Sequence, residues 1–96
     1  MAAVRIEDLL RIDTFVEYYI KGDEEFIKGE YDISYLPLES LLTIFTPEPK
    51  DDYELVFTYE IDKELASKLN AFLKEPILFD FENYDYAMQR YGIYRK

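Results

Sequence analysis

Apolar and polar residues alternate along two stretches near the start of the chain. Arg11 to Ile20 is rich in β-branched and aromatic residues, with Ile12, Val16, Tyr18 and Ile20 on one side and Asp13 and Glu17 on the other. That pattern predicts a strand. Lys21-Gly22-Asp23-Glu24 supplies turn chemistry, after which Ile27, Tyr31, Ile33 and Tyr35 alternate with Lys28, Glu30, Asp32 and Ser34. A period of two reads as a second strand with one wet face. The pair predicts an antiparallel hairpin closed by a tight loop at Gly22-Asp23. Val4 to Leu10 fits either the start of the first strand or a short helix.

The pattern then changes period. Pro37 opens a helix, because its fixed φ suits the first turn. Leu38, Leu41, Leu42 and Phe45 fall on one helical face. Pro47 and Pro49 end that helix, and Thr46 to Asp52 is a linker-like stretch too short to separate domains. From Tyr53 to Ile61 the alternation returns and predicts a third strand, or more weakly a patterned extended segment. Asp62 is placed to cap a helix running to about Lys74. Leu65, Leu69, Phe72 and Leu73 form its buried stripe, and Glu64 and Lys68 form an i, i+4 pair on the wet side. Pro76 stops it, and Ile77, Phe79 and Phe81 alternate over a short extended piece. Asn83 then caps a last helix in which Tyr84, Ala87, Met88 and Tyr91 share a face, with Arg90 in its final turn and Gly92 as C-cap. The order predicts a small α+β domain spanning residues 1–96, with about three helices packed on one face of a sheet.

Composition narrows the chemistry. A 96-residue chain that is 49% hydrophobic and 18% aromatic is a globular domain with one core, not a disordered acidic tail. The absence of histidine excludes histidine triads, bases and metal ligands. The absence of cysteine excludes thiol nucleophiles, Cys-ligated zinc and disulfide frameworks. Three isolated glycines make no phosphate-binding loop. Asp80, Glu82 and Asp85 lack the glycine and terminal glutamate of a calcium loop. We therefore expect no enzyme, cofactor or metal. The start of the chain has no apolar run of signal-peptide length, and no stretch approaches the roughly 20 apolar residues of a membrane span. With no cysteine, this predicts a cytoplasmic protein.

The charge is uneven. Of 21 acids against 11 bases, net −10, seven acids lie from Glu39 to Asp62 beside the single base Lys50, and four lie from Glu75 to Tyr86 with no base. Asp23-Glu24-Glu25 adds a cluster at the hairpin tip. A solvated acidic surface that keeps a small protein soluble accounts for such clusters, and so does a landing surface for a basic partner. Direct nucleic-acid binding is disfavoured, since phosphate neutralisation needs a basic face. Ten tyrosines are the second anomaly. Tyr18 and Tyr19 point to opposite faces of a strand, and Tyr84 and Tyr86 to different sides of a helix, so one of each pair is expected to be exposed. Exposed tyrosine beside acid suits a protein-binding surface. The candidate partner-binding residues are Asp51, Asp52 and Glu54, and Glu82, Tyr84, Asp85 and Tyr86, pairing with Lys or Arg and supplying aromatic anchors.

Tyr35-Leu36-Pro37-Leu38-Glu39-Ser40-Leu41-Leu42, Asp51-Asp52-Tyr53-Glu54-Leu55, Tyr59-Glu60-Ile61 and Phe79-Asp80-Phe81-Glu82-Asn83-Tyr84-Asp85-Tyr86 together resemble small bacterial immunity proteins, including those of contact-dependent growth inhibition. The resemblance implies a cytoplasmic, non-enzymatic protein that binds and blocks a cognate toxin domain, often a nuclease. A toxin nuclease needs a basic cleft, which an acidic, tyrosine-rich module can occupy. Two other readings stand beside it: a nucleic-acid mimic that blocks a host nuclease or defence complex, and a small metal-binding or enzymatic domain.

Overall fold

A computed structural model describes residues 9–23 and 25–94. The expectation for Val4 to Asp8 lies outside them; Leu9 and Leu10 belong to the first strand. The elements are β1 (Leu9–Ile20), β2 (Gly29–Asp32), α1 (Leu38–Ile44), β3 (Tyr59–Ile61), α2 (Lys63–Asn70) and β4 (Tyr84–Tyr94). The strands form one antiparallel sheet in the order β2-β1-β4-β3. The fold is a small α+β domain.

The predicted hairpin is present. Gly22 turns the chain with φ +83°, and the Asp23 amide donates to the Ile20 carbonyl at 2.8 Å. The connection is longer than a tight loop, because pairing resumes only where Gly29 meets Tyr18. Pro37 does begin α1, its carbonyl accepting from the amides of Ser40 and Leu41. The buried side of the helix is Leu41, Ile44 and Phe45, whereas Leu42 is 37% exposed. Asp62 caps α2, accepting from the Leu65 amide at 2.8 Å, and Lys68 reaches Glu64 at 3.5 Å. The helix stops at Asn70, short of Lys74. There the Asn70 side chain accepts from the Ile77 amide at 2.9 Å and donates to its carbonyl at 3.0 Å, drawing the following chain back on itself.

Two expectations about local structure are corrected. The third strand is confined to Tyr59–Ile61, because residues 53–58 fold into a loop around the Asp52 carboxylate. The last helix does not exist: Tyr84–Tyr94 is an interior strand, paired with β1 from Ile20↔Tyr84 to Leu9↔Tyr94. The cause is tertiary. β1 has 12 residues and β2 only four, so most of its backbone donors and acceptors need a second long partner. Gly92 faces Ile12 in that ladder and is no helix cap. The turn before β4 is built by Asp80, whose carbonyl accepts from the Tyr84 amide at 3.0 Å and whose carboxylate accepts from the Asn83 side chain at 2.8 Å.

Register assigns the two faces. Val16 opposes Met88, Tyr18 opposes Tyr86, and Ile61 opposes Tyr86. These side chains share one core with Leu41, Ile44, Ala66 and Leu69 from the helices. Both helices thus lie on one face. An aromatic cluster extends that core: Tyr86 meets Phe79 edge-on at 4.8 Å and Phe81 at 5.3 Å, and Tyr18 meets Tyr84 edge-on at 5.2 Å.

Candidate functional site: the open sheet face and its loop

The opposite face of the sheet carries the alternate residues. On β1 these are Asp13, Phe15, Glu17 and Tyr19; on β4 they are Asp85, Ala87, Gln89 and Tyr91. β2 adds Glu30 and Asp32, and β3 adds Glu60. No helix among the described residues covers this face. Successive register pairs place Glu30, Glu17, Ala87 and Glu60 in one row across all four strands. At strand spacings of about 4.8 Å the row spans roughly 14 Å. Arg11 lies at the end of this face and is held by Asp13 at 3.0 Å.

Glu17 is the centre of the row and is 2% exposed. A lone buried carboxylate is costly, and two phenols satisfy this one. Tyr19 donates at 3.1 Å from its own strand, and Tyr91 donates from β4 to the other oxygen. Phe15 packs beside Tyr91, ring centroids 6.0 Å apart. Burial, followed by the bond to Glu17 and the negative charge around it, pushes the Tyr91 hydroxyl well above the usual phenol range. Tyr91 therefore acts as a proton donor that fixes the carboxylate. Beside it, Tyr19, Thr58, Glu60, Phe81, Asp85 and Ala87 line most of a shallow recess of about 250 Å³.

Residues 46–58 lead into β3: their contacts with Tyr59 and Arg90 lie on the helix side of the sheet, and Thr58 reaches the open face through its bond to Gln89. Their organiser is Asp52, which is 6% exposed. Its carboxylate accepts from the amides of Val56 at 2.8 Å and Phe57 at 3.2 Å, and from the Tyr59 hydroxyl at 2.6 Å. Burial opposes the charge. The Tyr59 hydroxyl, the two amides and the Arg90 guanidinium outweigh it and hold the carboxyl below the ordinary aspartate range. The partner shifts the opposite way: burial, with the bond to Asp52, raises the Tyr59 hydroxyl. Tyr59 also accepts from the Glu48 amide at 2.9 Å, and the Arg90 guanidinium donates to the Glu54 carbonyl.

The candidate residues named from sequence are distributed over these parts. Asp51 and Glu54 are exposed on the loop, and Asp52 is turned inward and occupied by the chain's own donors. Glu82 is exposed in the turn before β4. Asp85 lies on the open face, where it accepts from the Gly22 amide at 3.4 Å. Tyr84 and Tyr86 were expected on different sides of a helix. As residues i and i+2 of a strand they point the same way, into the core, where Tyr86 is 5% exposed and accepts from the Asp80 amide at 2.9 Å. The acidic row across β2, β1 and β3 is not among the residues that the sequence points to. Its signal was in the alternation, since Asp13, Glu17, Glu30 and Asp32 occupy the wet positions of the predicted hairpin. Its joining to Asp85 and Glu60 required knowing that residues 84–94 are a strand. Among the described residues, no group of three or more carboxylates is placed to hold a metal ion, and no helix is long and apolar enough to cross a membrane.

Residues 13–89 match a family described as a domain of unknown function, DUF7683. The chain belongs to that family. The matched span begins in β1 and ends in β4, so it takes in part of those two strands, all of β2 and β3, both helices and the loop around Asp52. No curated protein and no solved structure matches the chain.

Proposed function

We propose that this protein is an immunity or inhibitor protein that binds and neutralises a cognate toxin domain with a basic surface, a nuclease domain in the first instance, inside the bacterial cytoplasm. The observation that carries this reading is the open face of the sheet. Both helices pack on the other side, and the side that no helix among the described residues covers carries Asp13, Glu30, Asp32, Glu60 and Asp85 around the fixed Glu17. Arg11, the base at the end of this face, is already ion-paired with Asp13. A surface of one sign speeds encounter with a partner of the other sign and rejects partners of its own. With a net charge of −10, the rest of the chain reinforces that field.

The test is co-expression with the product of the neighbouring gene. A stable complex that protects cells from that product, and whose association slows steeply with added salt, is the expected result. No complex and no protection, with both proteins folded, overturns the reading.

One feature favours a second reading, a nucleic-acid mimic. The row places Glu30 one strand from Glu17 and Glu60 two strands beyond it, with Ala87 between. A mimic would compete with DNA for unrelated nucleases, whereas an immunity protein would protect against one partner.

A further inference from the structure

We infer that residues 51–58 form a preorganised docking loop, whose exposed apolar side chains pack against an apolar face flanked by lysine or arginine on a partner protein. This inference rests on the reading above and deepens it by naming where the partner anchors.

Within the loop, alternate fates fall on neighbouring residues. Leu55 is fully buried and Asp52 nearly so, while Tyr53, Val56 and Phe57 are 68%, 62% and 56% exposed. Three large apolar side chains within five residues face water, and clustered exposed apolar side chains mark interaction sites. They are also not loosely held. The amides of Val56 and Phe57 are bonded to the Asp52 carboxylate, and the Glu54 carbonyl between them and Tyr53 is bonded by Arg90. Leu55 adopts φ 53°, a left-handed conformation that is costly for a branched residue and persists only where its surroundings enforce it. Core packing around Leu55 and the hydrogen bonds to Asp52 enforce it here. The loop backbone is held in one arrangement, so little backbone entropy is lost on docking.

Charge selects the occupant. Asp51 and Glu54 are exposed and flank Tyr53, and Glu48 is exposed nearby, with Lys50 as the base of the segment. Thr58, the next residue, bonds Gln89 and lines the recess that also holds Glu60 and Asp85. An apolar centre with an acidic rim is complementary to a basic partner with an apolar patch. A second copy of the chain is a poor occupant, because an isologous contact would bring the same carboxylates face to face.

The test uses the whole protein and two synthetic peptides, an amphipathic helix of leucine and lysine and a lysine–glycine peptide of equal charge, followed by amide NMR shifts and titration calorimetry. The leucine–lysine peptide should shift amides of residues 51–58. The Tyr53→Ser/Phe57→Ser double variant, both positions being solvent-exposed, should weaken that peptide about tenfold or more. The lysine–glycine peptide should bind both proteins equally. Asp52→Asn, which keeps the apolar side chains but loosens their frame, should weaken the leucine–lysine peptide as well, with the far-UV spectrum unchanged. Equal affinity of the leucine–lysine peptide for wild type and the double variant overturns the inference. So does a dimer in sedimentation that the double variant abolishes, since the loop would then serve self-association. Failure of the co-expression test with this peptide pattern intact would remove the toxin reading alone.

Discussion

The Tyr59 hydroxyl lies 2.6 Å from the Asp52 carboxylate, joining the first residue of β3 to the loop that precedes it. The bond stabilises the charged form of Asp52 and links acid stability to loop structure. The folded-state carboxyl is depressed below its unfolded value. Its contribution is therefore complete above the unfolded pKa, near 3.8, and is lost as pH falls through the lower folded value. Asp32, held down by the Ser34 hydroxyl and amide, acts with the same sign. Thermal midpoints measured between neutral pH and about pH 2.5 should fall most steeply in the acid range for wild type, and less steeply for Asp52→Asn. Parallel curves for the two proteins would show that the bond does not discriminate between the protonation states of Asp52.

Gly29 and Gly22 are needed for different reasons. A Cβ at Gly29 would overlap the Tyr18 hydroxyl end, because the Tyr18 ring leans over the glycine that faces it across the β1–β2 ladder. Gly29→Ala should cost about 1–3 kcal/mol in denaturant melts, the range of an overpacked site. A Tyr18→Leu background should relieve part of that cost. At Gly22 nothing lies within contact distance, but φ is +83°. Gly22→Ala should cost about 1 kcal/mol through backbone strain, with no relief from the Tyr18 change. Equal behaviour of the two alanines in both backgrounds would contradict this division.

Met88 distinguishes the two ways of reading the last segment. As an interior-strand residue opposite Val16 and Tyr59 it is fully buried, and Met88→Ala should cost about 2–5 kcal/mol. Leu42, which helical spacing placed in the core, is 37% exposed, and Leu42→Ala should cost under about 1 kcal/mol, as surface substitutions do. Chemical denaturation measures both, and the reverse order would mean that the two faces have been misassigned.

Segments 84–94 and 53–61 show where sequence patterning stops. Asp62 and Pro37 mark helix starts through local hydrogen bonding and a fixed φ, so those elements are legible in the sequence. Residues 84–94 carry both periods at once. Tyr84, Ala87, Met88 and Tyr91 fit a helical face, and Tyr84, Tyr86 and Met88 fit a strand face. What decides between them is the unmet pairing of β1, more than sixty residues away in sequence. In 53–61 the alternation Tyr53, Leu55, Phe57 suggests a strand, yet one carboxylate at Asp52 captures the amides a ladder would have used. The site follows the same rule. The wet positions of the hairpin are readable as acidic, and the pairing that makes them one surface with Glu60 and Asp85 is not a local property.

Adjacent aspartates give the sharpest test of which acids face a partner. Asp51 is exposed, whereas Asp52 is buried and bonded on both oxygens. Asp51→Lys should leave stability within about 0.5 kcal/mol of wild type, as an exposed charge change does. Asp52→Lys should disorder residues 46–58, seen as lost amide dispersion there, because it replaces an acceptor of three donors with a cation. In association with the co-expressed partner, Asp51→Lys combined with Glu60→Lys should slow the on-rate at low salt and flatten its salt dependence, with the off-rate changed less. Unaltered kinetics for that pair would remove the loop and the recess from the encounter surface. A slow on-rate for Asp52→Lys would not restore them, since that variant alters the shape of the loop as well as its charge.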